Sequence, residues 1–279
     1  MKWGFFTATH VITLIFAAVL IFGLHFLLKG RSVKTQLWVL TPLSFLGIAA
    51  IAYNLLTFDE PLAYLPLHLC SVNAMILPVA VLTRNKTLGN LLLVWCLGAL
   101  AALVLNNDMA EAELLSWPFF FYYFPHALEF GIPLLLFSLG LVKKEPKCIV
   151  TTMGISMGMY TVVHFCNRAV NAYTLMNNIT YGGDSPLQVN YMFSLSPNNP
   201  LLALFYSVIP HAYWYMYLVL PIIFVYLVFL YMYIDSAPLV PLSFLLQQNL
   251  LTILLKQTHT IFVYRIYTIF FKISQVVLR

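Results

Sequence analysis

Residues 5–28 read FFTATHVITLIFAAVLIFGLHFLL, a run of 24 residues that contains no Asp, Glu, Lys or Arg. About 20 apolar residues suffice for a helix to cross the hydrocarbon core of a bilayer. The basic residues Lys29, Arg31 and Lys34 follow the run instead of preceding it, and no small-x-small cleavage site is evident. The pattern therefore predicts a retained membrane helix and not a signal peptide.

The whole chain has the composition of this first run. Its 279 residues are 62% hydrophobic and 8% charged, and the mean hydropathy is +0.89. A soluble domain of this size could not bury so much apolar surface, so the bilayer is the expected solvent. The net charge of +5 comes from basic residues scattered between apolar runs, which does not indicate nucleic-acid binding.

Seven apolar runs predict an all-α, polytopic membrane helix bundle occupying residues 1–234 in the cell membrane. The loops between them alternate between basic and acidic or neutral, and the positive-inside rule then puts the N-terminus outside and the C-terminus inside. The one long break, about 173–205, is expected to be a structured loop or a re-entrant segment. The runs are 5–28, 37–57, 65–82, 88–105, 118–142, 148–172 and 206–234.

Residues 235–279 differ from these runs. The segment PLSFLLQQNLLTILL is short for a span, and basic residues alternate with Phe, Tyr and Ile towards the end. We expect a basic amphipathic tail that is cytoplasmic or lies on the inner leaflet; an eighth span is the alternative.

Polar residues within the predicted spans fall at one depth. Ionisable groups in a span are costly unless they face a partner or water, so this common depth predicts a polar chamber near the outer face. The residues involved are Asn54, His68, Cys70, Asn73, His126, Glu129, His164, Asn167, Arg168, Asn171, His211 and Trp214.

The third run begins LPLHLCSVNAMILP (65–78), and Pro66 is expected to open its helix, which puts Cys70 in the second turn. His68 and Cys70 point about 200° apart on a helix, whereas Asn73 shares the Cys70 face. A base for Cys70 must then come from another span, and His126 is the best candidate at matching depth. A helix N-terminus and a nearby imidazolium are the surroundings that activate a thiol.

In the sixth run, His164, Arg168 and Asn171 recur at helical spacing and form one polar stripe. The guanidinium fork of Arg168 suits a phosphate or a carboxylate, as in a lipid headgroup or a fatty acid.

Three stretches carry a resemblance to a known family. They are LPLHLCSVNAMILP, FFFYYFPHALEFGIPLLL, and VNYMFSLSPNNPLLALFYSVIPHAYWYMY, which together span about residues 37–234. The chain resembles the bacterial YwaF-type integral membrane proteins, which are related to the eukaryotic transmembrane protein 164 family. The third stretch is the most specific, and its matching positions are Asn190, Tyr191, Met192, Pro210, Trp214 and Tyr215.

The resemblance implies a cysteine-dependent acyltransferase that remodels phospholipids, with Cys70 as nucleophile and His126 as base. It also implies a more distant similarity to androgen-induced membrane hydrolases of fatty-acid esters. We expect Asn73 or Asn190 to donate to an oxyanion. The full set of expected substrate-binding residues is His68, Asn73, Glu129, His164, Arg168, Asn171, Asn190, Tyr191 and Trp214.

Two other interpretations stay open. The same chamber could serve a transporter or a small-molecule binding protein without a covalent step, or the chain could be a non-catalytic scaffold in which these residues only pack. No nucleotide, flavin or haem signature and no metal-ligand spacing of cysteines is present, so we expect neither a cofactor nor a metal. The expected partners are membrane lipids, not nucleic acid, and a homo-oligomer is left open.

Overall fold

A computed structural model describes residues 1–105, 109–145, 147–181, 183–198 and 200–233. The described chain is helical, with two isolated β-bridges and no strand. The predicted tail, 235–279, lies outside the described residues. The α-helices are α1 (Ala8–Leu28), α2 (Val33–Ser44), α3 (Leu46–Thr57), α4 (Leu69–Thr83), α5 (Lys86–Val104), α6 (Trp117–Ser138), α7 (Cys148–Met176), α8 (Pro200–Val208) and α9 (Val219–Tyr233).

Five segments of the described chain are long and apolar enough to cross a membrane: α1, α2 with α3, α5, α6 and α7. The sequence prediction of seven spans is therefore confirmed only in part, since five of them meet this criterion. The third predicted run forms the shorter helix α4, and the seventh is broken between α8 and α9. The seventh run contains Pro210 and a left-handed Tyr213, with φ of 70°, which interrupt the helix.

One expectation about α4 was wrong. The helix does not begin at Pro66, because His68 has an extended backbone and occupies the N-cap position. Cys70 is consequently the second residue of the helix and lies in its first turn, not its second. The difference arises because residues 61–64 already form a short 3-10 helix, and the chain turns once more before α4 starts.

The core lies where α4, α5 and α6 pack together. Leu77, Leu92, Ile132 and Leu136 are buried there in one apolar cluster. By contrast, α1 and α7 expose large apolar side chains along most of their length. Apolar faces that no protein covers are what a lipid environment requires.

The N-terminal segment is tied to the loop between α5 and α6. The backbone N–H of Trp3 donates to the Ala112 carbonyl at 2.9 Å, and the buried Trp3 indole donates to Thr13 at 2.8 Å. The ring of His10 is fully buried, with Nε2 2.8 Å from the Leu103 carbonyl. These bonds put the N-terminus and the α5–α6 loop at the same end of the described bundle.

The opposite end collects most of the basic residues. The side chain of Asn90 contacts the Lys143 carbonyl at 3.4 Å, and Lys86 pairs with Glu145 at 3.2 Å, so the start of α5 meets the loop after α6. Eight basic residues of the described loops and helix ends belong to this end: Lys29, Arg31, Lys34, Arg84, Lys86, Lys143, Lys144 and Lys147.

The helix α4 starts level with the interior of its neighbour α5, short of the C-terminal end of α5. A Cβ added at Gly98 would come within 2.9 Å of the Leu69 side chain, so the first residue of α4 packs six residues before the end of α5. At 1.5 Å per residue, the α4 N-terminus is recessed by about 9 Å. The first turn of α4, which carries Cys70, therefore lies inside the bundle and not at its rim.

Candidate active site

Cys70 lies at the recessed N-terminus of α4. Its sulfur is within hydrogen-bonding reach of the Ser71 hydroxyl and of the backbone N–H groups of Cys70 and Ser71. N–H groups in the first turn of a helix have no intrahelical partner, so they are free to face a sulfur or a developing oxyanion. The residue as a whole is half-buried, while its thiol lies on the buried side.

His126 lies on α6 in a defined orientation. Its Nδ1 is 2.6 Å from the Tyr122 carbonyl, and the ring packs on the Tyr122 ring at 4.4 Å between centroids. A carbonyl oxygen only accepts, so Nδ1 carries the proton and donates it. In the neutral ring, the lone pair is then on the other nitrogen, Nε2, which is the position of a base.

Glu129 follows His126 by one helical turn and is 3% exposed. Its carboxyl lies against the Asn73 side chain of α4 and within electrostatic range of Cys70 and His126. On the α3 side, a Cβ added at Gly47 would come within 3.0 Å of Glu129 Oε1. The lack of a side chain at Gly47 is thus what lets α3 approach the carboxyl.

Several polar atoms at this point have no hydrogen-bond partner within the part of the chain that the structure describes. They are Asn73 Nδ2, Asn73 Oδ1 and Glu129 Oε2, and Asn73 is fully buried. The amide and the carboxyl are neighbours, but their relative orientation does not complete a hydrogen bond between them. Buried polar groups are almost always paired, so such a cluster indicates a site that receives a polar ligand or water.

The structure thus brings together four of the residues singled out from the sequence: Cys70, Asn73, His126 and Glu129. Among the described residues, the electrostatic neighbours of Glu129 include both the thiol and the imidazole. The Cys70 thiol and the His126 imidazole thus both lie within electrostatic range of one buried carboxyl.

A second group of predicted residues holds the segment 187–196 against α7. Asn167 donates to the Tyr191 carbonyl at 2.8 Å and to Ser194 Oγ at 2.9 Å, and it accepts from the Tyr191 N–H at 2.9 Å. Asn171 makes the same two-way contact with the Val189 backbone, at 2.9 and 2.7 Å. We call these residues with Thr174 and His164, which contact Leu187 and Ser194, the α7 clamp.

The clamped segment reaches the start of α4. Met192 donates its N–H to His68 Nδ1 at 3.4 Å, and the rings of Tyr191 and Phe193 pack on the His68 ring. The Tyr191 hydroxyl donates to the Leu62 carbonyl, and burial raises the pKa of Tyr191 to about 12, which keeps this donor protonated. The segment therefore fixes the chain that leads into the Cys70 turn.

Three predicted substrate-binding residues have surroundings that differ from those of Cys70, Asn73, His126 and Glu129. Asn190 uses both ends of its amide within its own loop, on Ser196 and on the Leu195 N–H, so it has no spare oxyanion donor. Arg168 is exposed beside His164 on α7. Trp214 is exposed in the break between α8 and α9, where it packs on Tyr213.

Sequence reasoning missed some residues that build this region. Thr174 follows Asn171 by three residues on the same stripe, so the helical period could have singled it out. Asn167 was named among the polar residues of the predicted chamber but not among the substrate-binding residues. Gly47 and Ser71 carried no such signal in the sequence. Gly47 reaches the site only through the packing of α3 against α6, and Ser71 only because it lies in the first turn of α4.

Comparison with known proteins agrees with the membrane character of these helices. No curated protein and no solved structure matches the chain. The family model described as "TMEM164 family" matches residues 5–233, which covers the helices and every site residue named above. The chain is a membrane protein that belongs to the TMEM164 family.

Proposed function

We propose that this protein is a membrane enzyme that transfers acyl groups between lipids through a thioester on Cys70. The observation that carries the proposal is the set of buried polar atoms on Asn73 and Glu129, which lies within electrostatic range of the Cys70 thiol at a helix N-terminus. A buried polar atom left without a partner costs about 1–3 kcal/mol, which favours a polar ligand at this position.

The proposal assigns these side chains the following roles in the first half of the reaction. His126 accepts the Cys70 proton at Nε2, and the sulfur attacks the carbonyl carbon of an acyl ester. The tetrahedral oxyanion receives hydrogen bonds from the free N–H groups of the α4 first turn and from Asn73 Nδ2. The C–O bond breaks, His126 returns the proton to the leaving alkoxide, and the acyl group stays on sulfur.

The site suits a lipid more than a soluble ester. It lies at the recessed end of α4, among helices whose outer faces are apolar. The basic loops gather at the other end of the bundle, so the positive-inside rule assigns the Cys70 end to the outer side of the membrane in the seven-span orientation. An ester within the outer leaflet could then reach the thiol without leaving the bilayer.

The experiment that tests the proposal is acyl exchange by the detergent-purified chain. A phospholipid with a labelled acyl chain is incubated with an unlabelled lysophospholipid, and labelled product is measured. We expect Cys70→Ala and His126→Ala to lose exchange by at least about 100-fold. The matched control is Cys166→Ala, a cysteine on α7 with similar exposure, which should keep wild-type exchange.

Full exchange by a folded Cys70→Ala variant would refute the covalent mechanism. The same chamber would then serve binding or transport without a thioester. That alternative predicts lipid binding that is equal in wild type and in Cys70→Ala.

A further inference from the structure

The side chain of Tyr122 links His126 to the neighbouring helix α5. Its ring packs on the His126 ring with 4.4 Å between the centroids and 35° between the planes, and its hydroxyl donates to the Ala102 carbonyl at 3.0 Å. The hydrogen bond from His126 Nδ1 to the Tyr122 carbonyl fixes one point of the imidazole but leaves the ring free to tilt about that bond. The Tyr122 ring restricts this tilt, so it sets the direction in which Nε2 points.

Trp3 packs on the same tyrosine from the N-terminal segment, residues 1–7, which precedes α1. Its indole is fully buried and meets the Tyr122 ring at 5.9 Å between centroids and 69° between planes. Its own position is fixed by the bond from its backbone N–H to the Ala112 carbonyl and by the bond from the indole N–H to Thr13. The contact with Trp3 therefore ties the Tyr122 ring, which packs on His126, to the N-terminal segment.

The next residue of α6, Tyr123, makes a similar set of contacts without reaching the imidazole. Its ring meets Trp3 at 6.0 Å between centroids, and its hydroxyl donates to the Thr13 carbonyl at 2.5 Å. Two consecutive tyrosines thus contact the same indole, and each donates its hydroxyl to a backbone carbonyl of a neighbouring helix. Tyr122 is the one whose ring packs on His126, so Tyr123 provides a matched control.

We propose that Trp3 and Tyr122 are positioning residues for His126, so that the N-terminal segment forms part of the active site although it carries no reacting group. This inference rests on the proposed function and deepens it, because it assigns the orientation of the base to residues outside the reacting set. A general base must lie within hydrogen-bonding reach of the proton that it takes. A misplacement of about 1 Å can cost about 100-fold in rate.

The expected effect is on the chemical step and not on lipid binding. Trp3 and Tyr122 contact the imidazole side of the site and have no assigned contact with the substrate. An interaction that matters only in the transition state lowers kcat and kcat/KM equally when it is lost, and it leaves KM unchanged. A residue that only stabilises the fold would instead lower the melting temperature and leave the kcat of the folded protein intact.

The first test compares Tyr122→Phe with Tyr123→Phe in the acyl-exchange assay. Each variant keeps its ring and loses one hydrogen bond from a hydroxyl to a backbone carbonyl. We expect Tyr122→Phe to lower kcat by about 10-fold with an unchanged KM for phospholipid, because its ring is no longer held at the far end. Tyr123→Phe should keep the wild-type kcat. Equal values of kcat in the two variants would overturn the proposal.

The second test asks whether the aromatic ring at position 3 is what positions Tyr122. Trp3→Leu and Trp3→Phe both lose the indole bond to Thr13, but Trp3→Phe keeps a ring that can meet Tyr122. At a temperature at which both variants are folded, we expect Trp3→Leu to lower kcat by about 10-fold or more and Trp3→Phe to restore most of it. A kcat for Trp3→Leu equal to that of the wild type would contradict the role of the N-terminal segment.

A spectroscopic measurement keeps the inference testable if the wild type forms no thioester, an outcome that would refute the proposed function itself. The protein is labelled with ¹⁵N-histidine, and the His126 signals are assigned by their loss in His126→Gln. We expect a neutral ring protonated on Nδ1 in wild type and in Tyr123→Phe, and a mixture of both neutral tautomers in Tyr122→Leu and Trp3→Leu. Unchanged His126 signals in the two leucine variants would overturn the positioning role.

Discussion

Asn167 of the α7 clamp provides the sharpest prediction about how the site is held. Its fully buried amide makes three hydrogen bonds of 2.8–2.9 Å, two to the Tyr191 backbone and one to Ser194. Replacement by Ala removes all three and leaves the Tyr191 N–H and C=O without these partners. The segment 187–196, which contacts His68, would then be attached to α7 only by the remaining members of the α7 clamp.

Two losses of stability set the expected change in the free energy of unfolding. A polar contact between membrane helices contributes on average about 0.6 kcal/mol, so three contribute about 2 kcal/mol. Each buried backbone group left unpaired adds about 1–3 kcal/mol if it does not find a new partner. We therefore expect Asn167→Ala to lower the free energy of unfolding by about 2 kcal/mol if both Tyr191 groups find new partners, and by about 4–8 kcal/mol if neither does.

The assay is reversible unfolding in mixed detergent micelles, with Asn177→Ala as the matched control. Asn177 is the same residue type at the end of the same helix, but it is exposed and bonds only to the Tyr173 carbonyl in its own helix. Its replacement should change the free energy of unfolding by less than about 0.5 kcal/mol. If the two variants lose the same amount, the α7 clamp does not hold the segment as described.

Three further predictions test other parts of the account. Gly47→Ala gains about 1 kcal/mol of helix propensity, but its Cβ would come within 2.6 Å of the Ala74 side chain and would crowd Glu129. We therefore expect this variant to have lower acyl exchange and a lower melting temperature. The control Gly158→Ala, whose Cβ would meet open space, should lower neither. Equal behaviour of the two alanine variants would contradict the close approach. Trp3→Ala should lower the free energy of unfolding by about 3–5 kcal/mol, against little change for the exposed Trp38→Ala, and comparable losses would refute the anchoring of the N-terminus. Arg168→Gln should leave labelling of Cys70 intact and raise the KM for phospholipid donors, and an unchanged KM would exclude its predicted headgroup contact.

The helical architecture was largely predictable from the sequence. Six of the seven apolar runs correspond to helices or helix pairs within a few residues, because apolar length reports directly on helix placement in a bilayer. The exceptions are local. The start of α4 was misplaced because Pro66 also suits the turn that precedes the helix, and the break between α8 and α9 depends on the left-handed Tyr213, which apolar composition does not reveal.

The candidate site was predictable as a set of residue types at one depth, but not as an arrangement. Helix geometry placed Asn73 on the Cys70 face and required a base from another span. It could not show that Glu129, expected to bind substrate, would lie against Asn73, nor that His126 would be oriented by the Tyr122 carbonyl. Both depend on how α4 and α6 pack, and the spacing along either helix does not determine that packing. Asn190 was expected to bind an oxyanion, yet its amide is used up within a turn that only the fold creates.

The central claim is that Cys70 forms a thioester with an acyl chain. The most direct test is intact-protein mass spectrometry after incubation with a phospholipid of known acyl composition, followed by peptide mapping of the four cysteines. The account predicts one added acyl mass that hydroxylamine removes, located on Cys70 and absent from Cys70→Ser. An unmodified Cys70, or an acyl group on Cys148 or Cys166 that persists in Cys70→Ser, would contradict it.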